Sequence, residues 1–212
     1  MSRTIACRAV LFDCDGVLVD SKDSGSRAWT QWAHRYGLDP EVVLHGVHGR
    51  RSRETVALFI DEDDRPEALT VIDDMEIADA AGTKPISGAA ELIAILDGAG
   101  VPWAVVTSAD EPLLRARVGA AGLPLPDAVV TAGDVSSGKP SPEGYLRAAE
   151  LLGTPIGDCV VIEDSPTGIR AGRAAHAGFV LGVGDDAAAE NPDDVVADLT
   201  AVTWRDGALT IL

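Results

Sequence analysis

Short apolar runs that stop abruptly at small or polar residues punctuate this chain. Ala9–Phe12 ends at Asp13, Trp103–Val106 ends at Thr107 and Ser108, and 160–162 ends at Glu163 and Asp164. Residues 128–130 and 179–181 read as two more such runs. They are continuous rather than alternating, as strands covered on both faces must be. Between them, helical periodicity covers 88–99, 111–121, 142–152 and 166–175. Strands alternating with helices predict βαβ units and a doubly wound, Rossmann-like parallel sheet, an α/β fold.

The alternation fails between Ser21 and Lys84. That stretch holds only helical patterns, at 24–36, 40–45, 53–59 and 66–80, with the acidic, Pro-containing turn "DEDDRP" dividing the last two. It is too long for a crossover, so we expect a helical cap at 21–84 inserted into a core made of 1–20 and 85–212, with hinges near 19–22 and 83–87. Near the C-terminus, Asp206-Gly207 sits between short apolar runs, which is a hairpin signal.

Composition narrows the partners. A net charge of −17, with no basic stripe, argues against nucleic acid and anionic membranes. Fourteen of the seventeen basic residues are Arg, and the three lysines are Lys22, Lys84 and Lys139. An anionic ligand would therefore need a positive site built locally. The three cysteines are few and unpatterned, and no apolar run reaches the roughly 20 residues of a membrane span. With no apolar leader at the N-terminus, we expect a cytoplasmic protein, monomeric or a small homo-oligomer.

In an open parallel sheet, ligands bind beyond the carboxyl ends of the strands. Here that edge gathers Asp13 and Asp15, Thr107 and Ser108, and Glu163 and Asp164, with Lys139 in "SSGKPSPEGY" before a helix. Carboxylates two residues apart at the end of a buried run need a cation or donors to be tolerated. Asp13, Asp15, Glu163 and Asp164 form an oxygen-only set suited to Mg²⁺, which would offset repulsion of a phosphate dianion. Lys139, the Ser108 hydroxyl, Thr107 beside it, and backbone N–H groups near Gly16 and Ala109 can hold phosphate oxygens. Gly16 permits close backbone approach. Asp13 is the candidate nucleophile and Asp15 the candidate general acid and base.

The segments "FDCDGVLVDS", "VVTSAD", "GKPSPEGYLRAAELLG" and "VVIEDSPTGIRAGRAA", in this order, resemble the four signature motifs of the haloacid dehalogenase-like hydrolases. The resemblance spans nearly the whole chain. It is greatest to members with a helical cap after the first motif, among them bacterial sugar-phosphate and hexitol-phosphate phosphatases and glycerol-phosphate phosphatases. "SRAWTQWAHRYGL" and "VHGRRSRETV" resemble their cap segments. The resemblance implies Mg²⁺-dependent hydrolysis of a small phosphorylated substrate. Asp13 would form a phosphoaspartyl intermediate, and Asp15 would move the proton and lend the metal its carbonyl. Ser108 and Lys139 would hold the phosphate, and Asp164 and Glu163 would hold the metal.

Sugar-phosphate mutases of the beta-phosphoglucomutase type share these motifs but carry a histidine where this chain has Gly25, which favours a phosphatase. A non-catalytic module binding a phosphorylated metabolite is the third reading, disfavoured by the complete acid set. In the cap, Gly49, Arg50 and Arg51 with Arg53, and His45 and His48, are candidates for substrate contact, against the alternative of a solvated face. Trp29 and Trp32, three apart, are expected to pack in the cap core, with Trp29 also able to wall the pocket. His176 reads as a left-handed helix cap and Cys14 as an inward-packing residue.

Overall fold

A computed structural model describes residues 2–47 and 49–212. In chain order the first half comprises β1 (Arg3–Ile5), β2 (Ala9–Phe12), β3 (Val19–Asp20), α1 (Lys22–Arg35), α2 (Pro40–Leu44), α3 (Ser52–Phe59), α4 (Arg65–Asp79), β4 (Lys84–Pro85), α5 (Ala89–Gly98) and β5 (Trp103–Val106). The second half follows with α6 (Glu111–Ala120), β6 (Val129–Val130), α7 (Glu143–Leu151), β7 (Cys159–Glu163), α8 (Pro166–Ala174), β8 (Phe179–Val183), β9 (Asp194–Val196), β10 (Val202–Arg205) and β11 (Ala208–Ile211).

The main sheet has the order β6-β5-β2-β7-β8-β9, and every pair is parallel. Its central strand, β2, shows why the run is continuous. Val10 and Phe12 enter one apolar cluster with Leu92 and Leu96 of α5, while Ala9 and Leu11 enter another with Tyr145 of α7 and Ile169 of α8. Alternate side chains of a strand point to opposite faces, and here both faces are covered.

The predicted hairpin is β10–β11, with Asp206 at φ 52° and Gly207 at φ 79°, both on the positive side that a two-residue hairpin turn of this kind uses. The sequence reading did not foresee β1, which completes a small antiparallel sheet by pairing with β11, nor the short edge strand β9. His176 adopts φ 60°, and Cys14 is fully buried, as expected.

Strands β3 and β4 pair antiparallel through Val19↔Pro85 and Asp20↔Lys84, and the described residues between them form helices, turns and loops without a further strand. Helices α1–α4 enclose their own apolar cluster, built on Trp29, Trp32, Val43, Val56 and Ile72. The indoles of Trp29 and Trp32 meet edge to face at 5.2 Å, and Trp32 Nε1–H donates to the Ala68 carbonyl at 2.9 Å. Helix α1 begins slightly earlier than its periodicity suggested, at Lys22.

One acid among these helices is poorly placed. Burial, reinforced by Asp110 and Glu76, pushes the Asp73 carboxyl up to about 6. A raised carboxyl favours the protonated fold, so Asp73 costs stability once the unfolded chain ionises near its ordinary value. The cost grows from about pH 4 to about pH 6 and is full above that. Asp73→Asn is therefore expected to stabilise the protein by about 1 kcal/mol at neutral pH, discounted for partial exposure. The gain should shrink steadily on acidification through that window, which a melting series across pH would show.

Candidate active site at the carboxyl edge of the sheet

Strand β2 delivers Asp13 to the edge, where its N–H is held by the Ile162 carbonyl at 2.9 Å. The chain then turns tightly. Gly16 N–H donates to Val19 O at 2.8 Å, and Leu18 and Val19 N–H both return to Cys14 O. Gly16 sits at φ +80°, and a Cβ there would fall 2.0 Å from Asp164 Oδ2. Only glycine lets the Asp164 carboxylate lie against this loop.

Strand β7 ends in Glu163, which is completely buried. Its Oε1 accepts from Lys139 Nζ at 2.6 Å and Tyr145 O–H at 2.8 Å, and its Oε2 accepts from Ser165 N–H and O–H, both at 3.0 Å. Ser165 Oγ in turn accepts from Gly168 N–H at 3.1 Å and caps α8. A Cβ at Gly168 would sit 1.6 Å from Glu163 Oε1, so the helix packs on this carboxylate as closely as a glycine permits.

Lys139, itself buried, donates to Asp13 Oδ1 at 2.6 Å, to Glu163 and to the Val106 carbonyl at 3.2 Å. Its three protons are thus spoken for. Burial works against its charge, but Asp13 and Glu163 outweigh burial and hold the ammonium more firmly protonated than usual.

Lys139 does not neutralise the whole cluster. One oxygen each of Asp13, Glu163 and Asp164 forms a group whose members lie within 4.8 Å of one another. Burial, with the charge of Glu163 next, raises Asp13 to about 7, and burial with Asp13 and Glu163 raises Asp164 well above the carboxylate range. Three carboxylates against one ammonium leave an excess of two negative charges, which a divalent cation would balance. The donors are all hard oxygens, so the residues fit such an ion, with Asp13, Asp164 and Glu163 as the groups to hold it.

Asp15 stands apart from that group. Its Oδ1 accepts from Ser21 O–H at 2.5 Å and from Arg117 at 3.0 Å, and its side chain keeps 31% of its exposure against 8% for Asp13. It lines a cavity of about 770 Å³ with Asp13, Ser108, Arg50, Trp29 and His45.

The hydroxyl positions are engaged with protein. Ser108 Oγ donates to Gly49 O at 3.0 Å, and Thr107 Oγ1 accepts from the Ala109 N–H at 3.0 Å. At Gly49, with φ +74°, a Cβ would fall 2.2 Å from Thr167 Oγ1 and 2.7 Å from Ser165 Oγ. Arg50 lines the cavity, whereas Arg51 is not among the residues that line it. Its guanidinium pairs with Glu54 and donates to the carbonyls of Val135 and Ser136, bracing the loop that leads to Lys139. Arg51 is buried where it makes these contacts. Arg53 pairs with Asp110 at 3.3 Å on the surface. His48 lies outside the described residues.

Sequence reasoning missed Tyr145, Ser21, Glu76 and Arg117. Two of these carried a signal. Arg117 falls in the buried stripe Leu113, Leu114, Arg117, Val118 of α6, and Glu76 continues the buried row Ala68, Ile72 of α4. A charge in an apolar stripe is the mark of a buried partner.

Known proteins resemble this chain over most of its length. The chain is 44% identical over 172 residues to hexitol phosphatase A of Escherichia coli strain K12, covering 80% of each. It is 32% identical over 185 residues to glycerol-1-phosphate phosphohydrolase 1 of Saccharomyces cerevisiae, covering 81% of this chain and 73% of the relative. A crystal structure of a HAD family hydrolase from Deinococcus radiodurans R1, with bound phosphate and sodium, superposes with a TM-score of 0.68 at 32% identity over 92% of this chain and 93% of the other. No helix of the described residues is long and apolar enough to cross a membrane. Residues 7–176 match the sequence profile of the haloacid dehalogenase-like hydrolases, and the acid cluster and lysine of this sheet edge all fall within that span: the chain belongs to this family of hydrolases.

Proposed function

We propose that this protein is a Mg²⁺-dependent phosphatase of small sugar or polyol phosphates, working through a phosphoaspartyl intermediate on Asp13. The observation that carries the reading is the pairing of two differently held aspartates. Asp13 is buried in a cluster with Lys139, Glu163 and Asp164, and Asp15 is open to the cavity two residues later. The similarity to a hexitol phosphatase and a glycerol-phosphate phosphohydrolase supports the substrate class.

In the first step an Asp13 oxygen bonds to phosphorus as the bond from phosphorus to the leaving oxygen breaks, and Asp15 gives that oxygen a proton. In the second, water attacks phosphorus, Asp15 takes the proton from it, and the Asp13–phosphorus bond breaks. Lys139 and Ser108, exchanging present protein partners for the substrate, hold the non-bridging oxygens, with Thr107, Gly16 and Ala109 around them. Asp13, Asp164 and Glu163, with the Asp15 carbonyl, would hold a divalent cation, which would supply positive charge against the phosphoryl oxygens. Residues 21–84 act as a cap whose seating excludes bulk water, with Gly49 and Arg50 facing the substrate.

Gly25 favours the phosphatase over the mutase, because the position offers no side chain to protect the intermediate. The test is inorganic phosphate release, with Mg²⁺ and with a chelator, across hexose, pentose, hexitol and glycerol phosphates, with isomer pairs followed by NMR. Mg²⁺-dependent release from one chemical group of esters is expected. Isomer interconversion without release would identify a mutase instead, and binding without turnover would identify a sensor.

A further inference from the structure

A buried arginine stands next to the acid that the proposed mechanism uses for its proton. Arg117 Nη1 donates to Asp15 Oδ1 at 3.0 Å, and Nη2 donates to Glu76 Oε1 at 2.8 Å. The Arg117 and Glu76 side chains keep only 7% and 6% of their exposure. The three residues come from separate parts of the chain: Asp15 from the loop after β2, Arg117 from α6, and Glu76 from α4 among the inserted helices. Burial opposes the Arg117 charge, but Asp15 and Glu76 outweigh it. Burial also raises the Glu76 carboxyl, with Arg117 opposing.

Such a bridge is a poor way to gain stability. Desolvating a guanidinium and a carboxylate offsets most of their attraction, and apolar residues of similar volume often do as well. Arg117 Nε is moreover buried without a hydrogen-bond partner among the described residues. Gly25 adds a second observation. A Cβ there would lie 3.7 Å from Arg117 Nη2 and 3.9 Å from Glu76 Oε1, so the ion pair fills the space left beside the missing side chain and forms part of the cavity wall next to Asp15.

We infer that Arg117 is the positioning residue for Asp15, and that Glu76 makes this positioning depend on the seated helical insertion. Arg117 and Ser21 both bind Oδ1, which fixes the plane of the carboxyl and leaves Oδ2 as the oxygen that exchanges a proton with the leaving group. Glu76 grips the other arm of the guanidinium, so an insertion lifted away from the core would release Arg117 and, with it, the orientation of Asp15. The inference rests on the phosphatase reading and adds the residues that aim its acid.

The experiment compares kcat/KM for two kinds of ester, because this ratio reports only the steps up to leaving-group departure. An alkyl phosphate, such as the best polyol phosphate of the panel, needs its leaving oxygen protonated. In 4-nitrophenyl phosphate the leaving group departs as a stabilised phenolate and does not. Arg117→Met is expected to lower kcat/KM for the alkyl ester by about 10²-fold, the usual effect of a misaligned group, while the aryl ester changes by no more than about threefold. Glu76→Gln should show the same selectivity at smaller amplitude, and it carries the test if Arg117→Met does not fold. Arg117→Lys, which keeps the charge but loses the planar fork, should recover only part of the loss.

Equal losses on both esters in the folded variants would reduce the bridge to a structural role and overturn the inference. Unchanged kcat/KM on the alkyl ester would overturn it as well. A wild-type protein that hydrolyses neither ester would overturn the phosphatase reading itself, a result separable from the other two because it needs no variant.

Discussion

Asp13→Asn is expected to lower phosphate release by at least about 10⁴-fold, the scale on which removal of a nucleophile acts. It should do so without unfolding the protein. Asp13 is raised to about 7 because burial and Glu163 disfavour its charge more than Lys139 favours it. A group raised in the fold costs stability above its unfolded value, and a neutral amide removes that cost while its oxygen still accepts from Lys139. In metal-free buffer the variant should thus melt no lower than the parent, with its advantage growing as pH rises from about 4 to about 7. Saturating Mg²⁺ should reverse the order, since the parent keeps all three carboxylates to bind it and gains about 3 kcal/mol at a hundred times its dissociation constant. Phosphate release and melting, each with and without Mg²⁺, check all of this. An active Asp13→Asn protein would remove Asp13 from the nucleophile's role.

Lys139→Met should damage both folding and turnover. Lys139 is the cation that meets Asp13 and Glu163, each at 2.6 Å, in a site where both acids are buried. Removing one partner of such a cluster leaves uncompensated charge and costs about 3–5 kcal/mol. In a protein of this length that corresponds to a melting point lower by roughly 10 °C. The pH dependence has a definite sign. Without the ammonium the carboxyls are raised still further, so the loss is largest in alkali and eases as acidification neutralises them. Turnover should stay low at every pH, because the phosphate has lost its fixed cation. A variant that melts like the parent in alkali would mean the acids find their balance elsewhere.

Much of this molecule was legible in its sequence for simple reasons. Buried parallel strands must be continuous apolar runs, and Asp13, Thr107, Ser108, Glu163 and Asp164 were found because each terminates one. Asp206-Gly207 betrayed its hairpin because few residues accept positive φ. The strand β1 escaped notice since three residues with two exposed carry no periodicity. For Arg51, local sequence shows a basic cluster but not the direction of each side chain; its carbonyl partners lie more than eighty positions away. Arg117 and Glu76 were overlooked for a related reason. Each stands in an apolar stripe of its helix, but which partner it meets is not defined until both helices are placed together and the two face one another.

The order of strands in the sheet has a consequence for how the chain acquires its shape during synthesis. β2 leaves the ribosome early, but its neighbours in the sheet are β5 and β7. Its first neighbour appears only once Trp103–Val106 has emerged, and its second only with Cys159–Glu163. The helices between β3 and β4 have no such wait, because their apolar cluster is drawn from their own neighbourhood in the chain. Local contacts form fast and distant pairings slowly. The insertion can therefore become compact while the strand that will carry Asp13 is still exposed, and nascent chains halted before β7 should resist protease within the insertion and be cut near Asp13.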